Sequence, residues 1–356
     1  MKHFNHLTVL EFAGVLAGPS VGMFFSELGA KVIKIENRNR GGDMTRSWKL
    51  PIESNEDISA YFCAVNYNKE YIDLDLTNEE DRRIAYNLIK SSDIVLSNFK
   101  AGDDKKLGLT NEIIKNLNPS CIIGKINGFS SDENRVAFDV VLQAETGYIA
   151  MTGTNEQSLA KLPVAFIDLF AAHQLKEGIL IALIEKLQTG RGAIIEVSLE
   201  DAAIASLANQ ASNFLMRNHI PKPIGTEHPN IAPYGDLFYD RNKTPLLFAI
   251  GTDKQFGSLC SVLGLDELAK TEAYKTNAGR IKNRNSLILE IQNAVSNFDR
   301  ESLIKELTRL KIPCASVLAM NEVFEKESAQ NLILEEIIEN QHTKRVKTTV
   351  FKISQL

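Results

Sequence analysis

Asp168 is the residue whose type and setting point most directly to chemistry. It lies in KLPVAFIDLFAAHQLKEGILIALIEKLQTGRG, residues 161 to 192, between an apolar run and a strongly apolar helix. Ala171, Ala172, Leu175, Ile179, Ala182, Leu183 and Lys186 recur at three- and four-residue steps, one face of a helix that Thr189, Gly190 and Gly192 close. Asp168 therefore falls at or just before the first turn. Unpaired backbone N–H groups and the positive end of the helix dipole there should keep its carboxylate ionised even in an apolar wall. An ionised carboxylate in a pocket can act as a nucleophile. At a helix start it can equally be an ordinary cap, so other parts of the chain must decide.

A second group of residues could hold an anion. RNRGGDMTRSW follows Glu36, YFCAVNYNKEYIDLDL spans 61 to 76, and IVLSNFKAGDDKKLGL spans 94 to 109. Each combines a short apolar stretch with a loop carrying Asn amides and cations, the groups that satisfy phosphates and the edge of an adenine. Arg38, Arg40, Arg46, Lys69, Lys100, Lys105 and Lys106 gather on these loops although the chain carries a net charge of −5. A local basic rim on an acidic protein suits a small anionic ligand, whereas nucleic acid would need a broad basic surface.

The elements that must position these residues start at the N-terminus. TVLEF, GVLAGP, SVGMFFSELGA with Pro19 in its first turn, and KVIKIE read as strand, loop, helix and strand. Such a βαβ unit predicts a parallel sheet with its ligand beyond the carboxyl ends of the strands. A dinucleotide fold with Glu36 as the ribose-binding acid is the tempting alternative. It fails on the glycines: three residues separate Gly14 from Gly18 and Pro19 follows, so G-x-G-x-x-G is absent and a nicotinamide oxidoreductase is the weaker reading.

The fold class expected is α/β, with a doubly wound Rossmann-like domain over residues 1–200. Ser198 and Asp201 form a capping box that opens one long connector helix, SLEDAAIASLANQASNFLMR, with 201–224 as connector helix and linker, and Pro221, Pro223 and Gly225 mark the boundary. Residues 225–315 read as a smaller α+β domain with a hairpin around DRNKT and helices at 253–264 and 284–296. Cys63, Cys121, Cys260 and Cys314 are scattered without a C-x-x-C pair, which predicts reduced thiols in a cytoplasmic protein. His3, His6, His173, His219, His228 and His342 lack metal-ligand spacing, so no metal is expected. MKHFNH leads straight into the first strand and no apolar run reaches spanning length, so neither a leader nor a membrane is expected.

Taken in order, VLEFAGVLAGP…GAKVIKIE, GGDMTR, NYNK, SNFKAG…LG, GFSSDENRVAFDVVLQAETG, Asp168 and TGRGAIIEVSLEDA resemble the family III coenzyme A transferases, the CaiB/BaiF group. The likeness continues through HPNIAPYG, DKQFGSLCSVLG, TNAGR and IPCASVLAMNEVF, and so covers nearly the whole chain. The resemblance implies a transferase that moves CoA between an acyl-CoA and a free carboxylic acid, with CoA as substrate and no tightly bound cofactor. It implies Asp168 as the nucleophile that forms an aspartyl anhydride and then an enzyme thioester. It also implies that residues 316–356 return to the large domain, and that two chains interlock as a homodimer.

The CoA contacts carry over by motif. Val15, Leu16 and Ala17 match the family's first contact loop, Asn66, Tyr67, Asn68 and Lys69 the second, and Asn98, Phe99 and Lys100 the third. Arg38 matches the adenosine-phosphate cation, with Arg40 as its alternative, and Lys106 takes the place of a phosphate-binding arginine. Arg135 is offset by one from a family lysine, and Asp139 matches an active-site acid. Leu16 stands where formyl-CoA transferases carry a glutamine, and HPNIAPYGDLFYDRNKTPLLFAIG lacks the glycine cluster of oxalate-using members. Formyl-CoA and oxalate are therefore not the expected pair. An α-methylacyl-CoA racemase of the same fold is the main alternative, but its G-H-D motif reads Ala137, Phe138, Asp139 here, which removes the second proton-transfer group. A non-catalytic CoA-binding protein is disfavoured by the intact Asp168.

Overall fold

Six short apolar segments pair into one sheet in the computed structural model, which describes residues 3–130 and 135–354. They are β1 (Thr8–Glu11), β2 (Lys31–Asn37), β3 (Lys69–Leu74), β4 (Ile94–Ser97), β5 (Ile122–Asn127) and β6 (Ile194–Ser198). Every pairing is parallel and the order is β3-β2-β1-β4-β5-β6. The chain leaves β1 in one direction and resumes at β4 on its other side. A crevice therefore opens beyond the carboxyl ends of β1 and β4, the usual ligand position in such sheets.

Strand alternation assigns the two faces. Leu10, Ile33, Val95 and Ile123 pack with Ala85, Ile89 and Ile114 on one face. The Ala17–Glu27 and Phe166–Thr189 helices cover the other. Gly124 lets the second of these approach, since a Cβ there would lie 2.9 Å from Leu96 and 3.0 Å from Ile179. The long helix buries Ile167, Asp168, Ala171, Ala172, Leu175, Lys176, Ile179 and Ala182, the stripe that its three- and four-residue steps require.

The division into units departs from the contiguous blocks expected. The larger unit takes the residues up to 148, 161–220 and those from 328 onward; the smaller takes 149–160 and 221–327. Residues 149–160 belong to the smaller unit because Gly153 O accepts Gly225 N–H at 2.7 Å and Glu156 pairs with Lys222 at 2.8 Å. The connector is two helices. Ser198 Oγ accepts Asp201 N–H at 2.9 Å as a cap should, but Leu199–Ala205 ends before Ala208, whose φ is +46°, and Ala208–Arg217 starts afresh.

In the smaller unit β7 (Tyr234–Tyr239), β8 (Pro245–Ala249) and β9 (Cys314–Ser316) form an antiparallel sheet. Phe238, Leu246, Phe248, Phe256, Leu259, Leu287, Ile291, Leu303 and Leu307 make its core. Because β9 pairs with β8, the return to the larger unit comes at 328 rather than 316. A hairpin of β10 (Ile333–Ile338) and β11 (Gln341–Val346) then docks on residues 56–68. Gln341 bonds Glu56 O and Ile58 N, and Glu336 accepts Asn68 N–H.

Candidate active site

Asp168 occupies the first turn of the Phe166–Thr189 helix and is 7% exposed. It does not cap that helix. The cap comes from another element: Asp139, at the start of the Asp139–Glu145 helix, accepts Ile167 N–H at 2.8 Å and Asp168 N–H at 3.4 Å through Oδ1. Buried Gln143 holds this cap in place, donating to Asp139 Oδ2 at 2.5 Å and accepting Leu162 N–H at 2.8 Å. The Asp168 carboxylate accepts no hydrogen bond from a described residue. The expectation of an ionised, dipole-stabilised acid is therefore corrected. Burial first, and the Asp139 charge second, push the Asp168 carboxyl up to about 7. The same field reaches Tyr61, whose phenol is raised by burial and then by Asp168, Asp139 and Asp43. Tyr61 meets Trp48 edge-on with ring centroids 5.0 Å apart. Gln143 and Tyr61, which the fold brings beside Asp139 and Asp168, each sit in a quoted motif without a spacing that marks them.

The first loop is held by two side chains distant in sequence. Asn98 accepts Gly14 N–H at 3.0 Å and donates to Gly14 O at 2.8 Å. Asp43 accepts Val15 N–H through both oxygens, at 3.2 and 3.1 Å. Behind Asp43 runs a buried charge network. Lys34 Nζ lies 3.0 Å from Asp43 and 3.1 Å from Glu11, and Lys69 Nζ donates to both Glu11 oxygens at 2.9 Å, to Pro19 O and to Asn66 Oδ1. Gly22 makes room for it, since a Cβ there would lie 1.9 Å from Glu11 Oε2.

Three ligand assignments change on this geometry. Lys69 is a fully buried partner of Glu11, its ammonium lowered to about 8 by burial despite that carboxylate, so it cannot reach a phosphate. Asn66 is buried and spends its amide on Lys69 and Phe62 O. Asn98 spends its amide on Gly14. Glu36 is no ribose acid either, because it accepts Asp43 N–H at 2.8 Å and pairs with Arg46 at 2.6 Å.

The remaining candidates lie around the carboxyl ends of the strands. Arg38, Arg40, Lys100, Lys105 and Lys106 are exposed, and Arg38 leans on Asp73 O at 2.9 Å and Asp81 at 3.3 Å. Leu16 and Ala17 are buried at the start of the first helix. Phe99 packs on Phe12, and Tyr67 lies under the Arg345 guanidinium. Asn68 is exposed with φ +54°. Arg135 pairs with Glu145 at 2.6 Å and lies over the Phe129 ring.

Residues 4–355 match the family described as CoA-transferase family III. The chain belongs to that family. It is 32% identical to the succinate–glutarate CoA-transferase of Agrobacterium fabrum, over 91% of this chain and 82% of that protein. It is 30% identical to a succinyl-CoA:mesaconate CoA-transferase of Haloarcula hispanica, over 91% and 83%. Its fold is that of a CAIB/BAIF family protein from Brucella suis, with a TM-score of 0.87 and 34% identity over 97% of this chain and 91% of the other. The protein is thus a family III CoA-transferase enzyme. In this enzyme Phe138 precedes the capping Asp139 and is 40% exposed, and an apolar ring there has no proton to relay. Among the described residues no His, Cys, Asp and Glu group could hold a metal ion, and no helix is long and apolar enough to cross a membrane.

Proposed function

We propose that Asp168 is the nucleophile of the transfer and that the first loop, Arg38, Lys100 and Lys106 hold the CoA. The observation that carries this reading is a buried carboxylate at a helix start that accepts no hydrogen bond from a described residue and sits beside a second acid. An Asp168 oxygen attacks the thioester carbon, the C–S bond breaks, and CoA leaves as the thiolate. The thiolate then attacks the aspartyl carbonyl, expels the donor acid as its carboxylate, and leaves an enzyme thioester. The acceptor carboxylate next attacks that thioester, and thiolate and mixed anhydride recombine to free Asp168 and the new acyl-CoA. Each covalent state of Asp168 is neutral. Acylation therefore removes a charge that burial and Asp139 both oppose, so the geometry that raises the carboxyl also favours the intermediates.

Short dicarboxylic acids are the proposed donor and acceptor class, supported by the substrates in the names of the two transferases compared above. The proposed assembly is a homodimer. Phe214, Leu215, Met216 and Ile220, with Ile181, Ile184 and Leu187 of the long helix, leave more apolar side chain exposed than a monomer usually tolerates. The cytoplasm is the proposed compartment, consistent with four unpaired cysteines.

The test is to incubate the protein with succinyl-CoA and a panel of free acids and follow new acyl-CoA by mass. Hydroxylamine treatment should release a covalent acyl group from the peptide containing residue 168. Asp168→Ala should give neither product, and a turning-over Asp168→Ala variant would refute the assignment.

A further inference from the structure

Val15 adopts φ +71°. A left-handed backbone is uncommon for any residue with a Cβ and an outlier for a β-branched one. Of the eight described non-glycine residues with positive φ, only Val15 is β-branched; three are asparagines, which tolerate the conformation. Gly14 sharpens the point, because it is not among the left-handed glycines. The residue free to take this conformation stands one place early, and a valine is kept where glycine would be unstrained.

Strain of this kind persists where the surroundings over-determine it. Here Asp43 grips Val15 N–H with both oxygens, Asn98 grips the peptide groups of Gly14, and Lys34 anchors Asp43 from below. The side chain supplies the reason for keeping valine. Val15 packs on the small cluster of Leu16, Met23 and Val65, and Ala165 and Leu169 pack on that same cluster. Ala165 and Leu169 flank the turn that carries Asp168.

We propose that Val15 is a positioning residue: its isopropyl group, locked by Asp43 and Asn98, fixes the start of the Asp168 helix against the first loop. The inference rests on the reading of Asp168 as nucleophile and adds to it how the distance between that carboxylate and the group bound at the first loop is set. A nucleophile displaced by an ångström loses much of its rate.

The experiment compares Val15→Gly and Val15→Ile with the wild type in thermal stability, amide hydrogen exchange over residues 165–170, and transfer from succinyl-CoA to glutarate. Val15→Gly should keep its melting temperature, because glycine accepts the backbone conformation. Its amides at Ile167 and Asp168 should exchange about ten-fold faster or more, and kcat should fall by about ten- to a hundred-fold while the KM for succinyl-CoA changes less. Val15→Ile restores a β-branched group and should return exchange to the wild-type rate. Wild-type exchange in Val15→Gly, or fast exchange in Val15→Ile, would overturn the proposal. Failure to trap an acyl group on Asp168 in the wild type would instead remove the nucleophile reading, while the exchange data still decide whether Val15 sets the helix.

Discussion

Asp168→Asn should make the protein more stable and inactive at once. The carboxyl sits at about 7 in the folded chain against an ordinary value of 3.8, with burial the larger cause and Asp139 the second. The folded state therefore holds the proton more tightly than the unfolded state. The stability this contributes is whole below about pH 3.8 and is lost as pH rises through about 7. Each pH unit of displacement corresponds to about 1.4 kcal/mol, so above pH 7 the ionised side chain costs the fold about 4 kcal/mol. At 7% exposure, water does little to screen it. Asparagine keeps the shape and never ionises, so the variant escapes that cost. Calorimetry at pH 4.5 and pH 8 is the assay. The gap between variant and wild type should be small at the lower pH and reach about 5 °C or more at the higher. The loss of transfer should be complete, since the amide is no nucleophile. An equal gap at both pH values would refute the reasoning, because it would mean the buried site does not resist the charge.

The rate of acyl-enzyme formation should rise with pH through about 7, since only the ionised Asp168 attacks, and Asp139→Asn should move that rise to lower pH by removing the neighbouring charge; a pH profile of the two proteins checks it. Lys106→Met should weaken CoA binding by roughly ten-fold, measured by calorimetric titration, and salt should weaken it further in the wild type. Lys69→Met should act differently, losing about 3–5 kcal/mol of stability because it strips Glu11 of a buried partner; a stable Lys69→Met protein with selectively poor CoA affinity would restore Lys69 to the ligand site. With Phe138 beside Asp139 the enzyme should not exchange the α-proton of 2-methylacyl-CoA for deuterium, and with Leu16 in the first loop it should use formyl-CoA and oxalate poorly. Proton exchange by NMR without an acceptor acid, or efficient oxalate turnover, would contradict those two statements.

Local pattern carried a good deal of this enzyme. The apolar runs of β1 and β2 around a helix with proline in its first turn, the absent G-x-G-x-x-G spacing, and the stripe from Ala171 to Ala182 depend on neighbours within a few residues. Backbone geometry and hydrophobic period act at that range, so the parallel sheet and the place of Asp168 on its helix could be read from the chain. Motif order along the chain, more than any single residue, identified the transferase family.

Pairing across the chain could not be read in this way. Lys69 looks like a loop cation until Glu11, 58 residues earlier, is folded beneath it, and Asn98 looks like a ligand amide until Gly14, 84 residues away, takes both of its ends. The cap of the Asp168 helix follows the same rule. Sequence places an acid at the helix start, but Asp139 arrives from 28 residues upstream of Ile167 to take the free N–H groups, and the Asp168 carboxylate is left without a hydrogen bond from a described residue. Residue type determines which hydrogen bonds and charges a side chain can offer. Which of them are already spent inside the protein, and which stay free for a substrate, is decided only when distant segments meet, because burial makes an unpaired polar group costly and most are met by a partner the fold supplies.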